Sequence, residues 1–183
     1  ISATPNFKTI LEAIHQALPI SFEHFSFYHL KEENYTLKPY FLKQYQNRWY
    51  VVGETDKGYR TFGIDRLKDI TIGTKKFRQK TEEAMDKFKN VIGLNYVDHE
   101  LQKVILSFHV SQKTYVESLP LHHSQKVINS NNKQTFDIEV CIHPNFEFNQ
   151  QILKYGSLVK VIEPKWLAEE VKKEVKKALE NYN

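Results

Sequence analysis

The sequence predicts an α+β chain of two domains. A helix precedes a small curled sheet or barrel, and a ferredoxin-like α+β domain follows. Residues 20–72 hold many short β-rich runs broken by turn signals, the pattern of small curled sheets. The second half orders its patterns as βαββαβ and then α, the split-βαβ arrangement. Aromatics form 13% of the 183 residues, with 10 Tyr and 12 Phe, which supplies bulky apolar surface for a real core. The first domain is expected over residues 1–80 and the second over 101–183, with 81–100 as linker.

Residues 7–18 set Phe7, Ile10, Leu11, Ile14 and Leu18 at helical spacing, and Pro19 ends that helix. Ile20–Phe25 alternates apolar and polar residues as a strand, with a turn expected around Lys31–Asn34. Tyr35–Phe41 is a strand with Pro39 at an edge or bend. Gln46-Asn47 precede a β-rich strand, Arg48–Gly53. Asp56-Lys57-Gly58 is a hairpin signal, Tyr59–Ile64 the return strand, and Ile70–Ile72 the last.

Residues 75–90 are charged with few apolar anchors, and Thr81–Asn90 fits a short helix inside a connector. Gln102–Val110 is a strand and Lys113–Leu119 a helix. Leu121–Ile128 and Gln134–Ile142 are strands separated by the polar turn Asn129–Lys133. Asn145 caps a helix that runs to Tyr155 with Gly156 at its exit. Leu158–Ile162 is a strand, and Pro164 opens a last helix carrying Leu167, Val171, Val175, Ala178, Leu179 and Tyr182 on one stripe. There is no internal repeat.

Composition narrows the function classes. The chain has 26 Lys/Arg and 22 Asp/Glu, a net charge of +4, and the excess lies entirely in residues 1–95. This permits an anionic partner without demanding one. A single cysteine, Cys141, excludes an intramolecular disulfide and fits a cytoplasmic setting; in its apolar strand it is expected as a buried small hydrophobe. No apolar run is long enough to cross a membrane, and the first residues lack a secretory pattern and an initiator Met, which fits a fragment or processed chain. Eight histidines include the adjacent His122-His123, expected on opposite strand faces, but no metal-ligand spacing occurs. Catalytic and phosphate-loop signatures are also missing, so no enzyme, metal or cofactor is nominated.

Pro39-Tyr40-Phe41-Leu42, Arg48-Trp49-Tyr50-Val51-Val52-Gly53 and Arg60-Thr61-Phe62-Gly63-Ile64-Asp65-Arg66-Leu67 resemble the WYL domain of bacterial regulators. Leu121-His122-His123-Ser124-Gln125, Tyr155-Gly156-Ser157 and Val161-Ile162-Glu163-Pro164-Lys165-Trp166-Leu167 resemble its C-terminal extension, WCX. The likeness covers essentially the whole chain. Val51 stands where the family's name-giving leucine would be, and Gly63 where many members carry a basic residue. The resemblance implies an Sm-like, SH3-type barrel, a ferredoxin-like second domain, effector sensing and dimerisation. Duplex DNA would be read only through an N-terminal winged helix missing from this chain.

Five residues are singled out for ligand binding. Trp49 and Val51 should face the core, which leaves Arg48 and Tyr50 on the other face as cation and stacking platform, or Tyr50 as an edge cover for apolar surface. Arg60 and Arg66 flank Phe62 and Ile64 and are expected at the strand's start and past its end, near the barrel mouth, where arginine's fork suits phosphate. Arg66 has a structural alternative, a clamp to Asp65, Asp69 or another carboxylate. His24 shares parity with Ile20 and Phe22, which favours a partly buried, hydrogen-bonded histidine over a ligand contact. Lys38 and Lys43 either extend a basic stripe or are solvated.

The resulting expectation is the non-enzymatic sensory and dimerising region of a transcriptional regulator. Its barrel would bind single-stranded nucleic acid or a nucleotide through Tyr50, Arg60, Arg66, Arg48 and His24. The competing readings are a protein-interaction module without a ligand and a sensor of a small metabolite. An amphipathic last helix beyond a complete second domain points to a homodimer.

Overall fold

The computed structural model describes residues 5–27, 30–97, 100–128 and 133–182. The chain divides into two compact units, Ile1–Lys89 and Asn90–Asn183, each built on an antiparallel sheet. No helix among the described residues is long and apolar enough to cross a membrane.

In the first unit, helix α1 (Pro5–Gln16) buries Ile10 and Ala13 completely and packs Phe7 and Ile14 on the same core. It stops before the expected Leu18 because Ala17 turns left-handed at φ 56°, and Leu18 N–H then donates to Ala13 O at 2.9 Å. The strands are β1 (Ile20–Ser26), β2 (Lys31–Tyr45), β3 (Arg48–Thr55), β4 (Gly58–Gly63) and β5 (Leu67–Ile72), in sheet order β4-β3-β2-β1-β5.

Strand β2 spans 15 residues and serves two partners. Its first half pairs with β1, from Leu37 opposite Ile20 to Lys31 opposite Ser26. Its second half pairs with β3, and the register shifts between Pro39 and Phe41. Proline has no N–H for the ladder, so the break falls where the sequence put the bend. The turn expected at Lys31–Asn34 is displaced, since these residues pair with Glu23–Ser26 and the chain reverses before them. Their polarity marks a ribbon with exposed positions rather than a turn.

Two-residue loops close the next hairpins. Gln46 and Asn47 both take positive φ, 46° and 62°, as the twist of a tight hairpin demands. Thr55 Oγ1 accepts from Lys57 N–H at 3.2 Å and donates to Gly58 O at 3.1 Å across the second loop. A 3-10 turn, Ile64–Arg66, joins β4 to β5. Among the described residues no ladder joins those two edge strands, so the sheet curls without a hydrogen-bonded barrel closure.

The core holds Ile20, Phe22, Leu37, Val51, Phe62, Ile64 and Leu67, with Trp49 packed against it edge-on to Phe7 at 5.3 Å. The other face of β2–β3 is covered too. Helix α2 (Thr81–Lys89) buries Ala84 and sets Phe88 edge-on to Phe41 and Tyr59 at 5.9 and 6.2 Å. The short helix in the expected linker is therefore packed structure of the first unit.

The second unit comprises β6 (Gln102–His109), α3 (Lys113–Ser118), β7 (Lys126–Ile128), β8 (Thr135–Ile142), α4 (Phe146–Lys154), β9 (Val159–Glu163) and α5 (Lys165–Glu180). Sheet order β7-β8-β6-β9 inserts β8 between β6 and β7, the two strands of the first βαβ unit, as a split βαβ requires. Val104, Leu106 and Phe108 alternate inward on β6, as do Phe136, Ile138, Val140 and Ile142 on β8. Phe148 and Ile152 of α4 and Leu167 of α5 complete this core.

Three expectations are corrected here. Only Lys126–Ile128 of the expected strand 121–128 is strand. Leu121–Ser124 bend instead, held by Gln125, whose Oε1 accepts from Leu121 N–H at 2.9 Å and whose Nε2 donates to Val116 O at 2.9 Å. His122 and His123 are thus not on opposite strand faces, and their ring centroids lie 3.9 Å apart. Cys141 is half-buried rather than buried, because it has the parity of Thr135, Asp137 and Glu139, on the face the helices do not cover. The polar turn 129–133 lies largely outside the described residues.

Candidate functional site

Phe62 of β4 is the centre of an aromatic cluster in the first unit. Phe22 lies 5.0 Å from it, Tyr35 4.8 Å and His24 5.2 Å, ring centroid to centroid. Strand pairing builds the group, since β1 sets Phe22 opposite Tyr35 and His24 opposite Glu33. The Tyr35 hydroxyl donates to Glu33 Oε2 at 2.5 Å. That bond, and then burial, raise the phenol above its usual range, while the charge of nearby Arg60 acts in the opposite sense.

His24 is only 8% exposed, and among the described residues neither ring nitrogen has a hydrogen-bond partner. The hydrogen-bonded histidine expected from parity is therefore buried but unsatisfied. Burial first, and the Arg66 charge second, hold its imidazole below the usual histidine range, so the ring is neutral at pH 7. A neutral imidazole offers one donor and one acceptor, and leaving both unused in a low-dielectric site costs free energy.

Arg66 ends the 3-10 turn with its guanidinium over the exposed ring of Phe27, 4.6 Å from the centroid. Its Nε is buried without a hydrogen-bond partner among the described residues. The clamp to Asp65 is not formed, since Asp65 pairs with Arg48 at 3.5 Å instead. Arg60 is exposed on β4, opposite Gly53. The structure thus brings His24 and Arg66 together, with Arg60 close to the same cluster through Tyr35.

Tyr50 does not join them. It is half-buried opposite Lys43 and Gly63, on the strand face it shares with buried Val52. Arg48 is exposed and tied to Asp65. Lys38 reaches Glu54 at 3.9 Å, and Lys43 lies over the Phe88 ring at 5.7 Å. Among the described residues no group of three or more His, Cys, Asp or Glu is placed to hold a metal ion.

Residues 5–72 match the WYL domain model, and residues 100–179 match the WCX domain model. The chain carries a WYL domain followed by a WCX domain. No curated relative matches it in sequence. Among solved structures, a CRISPR Cas-related protein is similar at 17% identity and a TM-score of 0.56, over 97% of this chain and 52% of that one. The proteasome accessory factor PafBC of Arthrobacter aurescens aligns at 19% identity and a TM-score of 0.40, over 91% of this chain and 25% of that one. The chain therefore spans about half of the first and a quarter of the second, and the likeness to the CRISPR Cas-related protein is one of fold.

Within the WYL unit, sequence reasoning missed Tyr35, Glu33 and Phe27. The signal for the first two was present: once β1 and β2 form a hairpin, residues paired with Phe22 and His24 must share their face. Placing the turn over Lys31–Asn34 removed those partners. Phe27 sits at the reversal, where no periodicity marks it.

Proposed function

We propose that this chain is the effector-sensing and dimerising region of a transcriptional regulator. In this reading the curled WYL sheet works as an Sm-like barrel, and its Phe62–His24–Arg66 end takes a nucleotide or a stretch of single-stranded nucleic acid. The observation that carries the proposal is the set of unused polar atoms there: both nitrogens of His24 and Nε of Arg66, against aromatic rings. Such groups gain most from a ligand that supplies hydrogen bonds and negative charge. The WYL likeness favours the same ligand class and a regulator that is not an enzyme.

Fluorescence anisotropy with labelled dinucleotide and short single strands tests it. Arg66→Ala and Arg60→Ala should each weaken binding and lower the salt slope by about 0.7 for every phosphate no longer neutralised. Tyr50→Ala, on the opposite face, should have the smaller effect. Salt-insensitive binding unchanged in both arginine variants would overturn the site.

Dimerisation is assigned to the WCX unit, residues 101–183. Leu167, Ala168 and Val171 of α5 pack on their own sheet, whereas Val175, Leu179 and Tyr182 continue the stripe at 51%, 61% and 89% exposure. Half of this stripe is thus spent within the unit and half is uncovered. Light scattering should give about twice the chain mass, and removing residues 172–183 should return a monomer. A dimer that survives this truncation would place the contact elsewhere.

A further inference from the structure

The geometry points to a second binding element on the WYL unit, a basic strap that carries the backbone of single-stranded nucleic acid away from the aromatic end. The strap is Lys75-Lys76-Phe77-Arg78-Gln79-Lys80, which follows β5 and precedes α2. It holds four cations and no carboxylate; the remainder of the chain has 22 basic and 22 acidic residues, so the whole +4 excess sits in these six positions. All four cations are exposed, and among the described residues none makes an ion pair or side-chain hydrogen bond. Elsewhere on this unit Lys31, Lys38, Arg48 and Lys68 each have a carboxylate partner.

Clustering unpaired like charges disfavours the folded chain unless an anion is present. Yet the strap is tied down between its cations. Phe77 N–H donates to Ala17 O at 3.0 Å, and Gln79 Nε2 donates to Ile14 O at 2.6 Å. The Phe77 ring also stands edge-on to buried Tyr40 at 5.9 Å. The anchors are thus the uncharged residues, and the cations project from a fixed backbone.

The strap forms one wall of a groove of about 790 Å³. Lys75, Lys76 and Phe77 face Lys57 on the β3–β4 hairpin and Lys38 on β2, with Tyr35 also in the lining. The carboxylates in that lining are Glu33, Glu54 and Asp56. Glu33 is engaged by Lys31 and Tyr35, and Glu54 by Tyr40 and Lys38, which leaves Asp56 at the hairpin tip. Cations interleaved with the rings of Tyr35 and Phe77 are what a single strand uses, phosphates on the former and bases on the latter. Tyr35 and Glu33 belong both to this groove and to the cluster around Phe62 and His24, so one strand could occupy both.

This deepens the reading above and rests on it for the ligand class. The test uses the full chain, a labelled oligothymidylate of about 20 nucleotides and a labelled dinucleotide, over about 50–200 mM salt. Replacing Lys75, Lys76, Arg78 and Lys80 by Gln should weaken oligothymidylate binding about tenfold or more and lower its salt slope by about 3. Dinucleotide affinity should stay at the parent value, while Arg66→Ala weakens both probes. Lys57→Gln should weaken the longer probe alone, and more mildly. A control variant with Lys113, Lys126, Lys154 and Lys160 changed to Gln removes the same charge from the WCX unit and should bind as the parent does. The strap is overturned if its variant keeps the parent affinity and slope, if the control loses as much, or if duplex of equal length binds as tightly as the single strand. Loss of dinucleotide binding in Arg66→Ala alongside an unaffected strap variant would sink the strap and leave the aromatic end standing.

Discussion

Gly53→Ala is expected to destabilise the WYL unit by about 3 kcal/mol or more, the upper range for forced overpacking. Gly53 ends the Arg48–Gly53 run and sits opposite Pro39, where the register of β2 shifts. A Cβ there would stand 2.3 Å from Lys38 O and 2.8 Å from Leu37 Cγ. Leu37 is fully buried, and Lys38 O is backbone in the ladder, so neither can move without disturbing the bend that lets β2 serve two partners. Gly58 is the contrast. It takes φ 90° at a hairpin with nothing within 4 Å of its virtual Cβ, so alanine there should cost only about 1 kcal/mol, through the backbone alone. Each unit has one tryptophan, Trp49 in the first and Trp166 in the second, so urea unfolding of a Trp166→Phe parent reports on the WYL unit. A midpoint for Gly53→Ala equal to that of Gly58→Ala would refute the close-approach argument.

The elements were legible where one face of a strand or helix is buried and the other is not. Strands β1, β6 and β8 alternate buried and more open positions, and α1 and α4 carry apolar stripes, so their residues announce both type and orientation. The interior placement of Trp49 and Val51 followed from strand alternation alone. Legibility failed where polarity had a second cause. Lys31–Asn34 are polar because they lie on an exposed ribbon, and Leu121–Gln125 carry β-compatible residues but are bent by side-chain hydrogen bonds that no pattern encodes. The apolar run around Cys141 points to burial, whereas parity counted from buried Ile142 places it on the outer face.

At the candidate site, charge type was legible and proximity was not. Arg60, Arg66 and His24 could be named from residue chemistry and family likeness, but their meeting depends on the β1–β2 register and on the 3-10 turn that swings Arg66 over Phe27. Tyr50 was assigned by the same alternation that correctly placed Trp49. That face, however, is the one α2 covers through Phe88, and tertiary packing of this kind has no signature in strand periodicity.

In the WCX unit a large loss is expected from Asn145→Ala, at a polar residue outside the apolar core. Asn145 is 5% exposed, and both polar atoms of its side chain are hydrogen-bonded. Its Oδ1 accepts from Phe148 N–H at 2.9 Å, capping α4, while Nδ2 donates to Ile92 O at 2.8 Å and Asn95 O at 2.9 Å. Nearby, Glu147 Oε1 accepts from the backbone N–H groups of Leu94 and Asn95, so the start of α4 fastens the segment that enters the unit. Losing the cap costs about 1 kcal/mol. Leaving two carbonyls without their donor adds about 1–3 kcal/mol for each that water cannot reach. The total expected is about 3 kcal/mol, seen as a lower urea midpoint for a Trp49→Phe parent, where Trp166 reports. Asn145→Asp separates the two contributions. It keeps the acceptor for Phe148 and adds a charge that the helix N-terminus favours, but it turns a second carboxylate oxygen toward two carbonyls. If the donors carry most of the effect, Asp should be as damaging as Ala at neutral pH. An Asp variant that unfolds with the parent would show that Asn145 is a helix cap and nothing more.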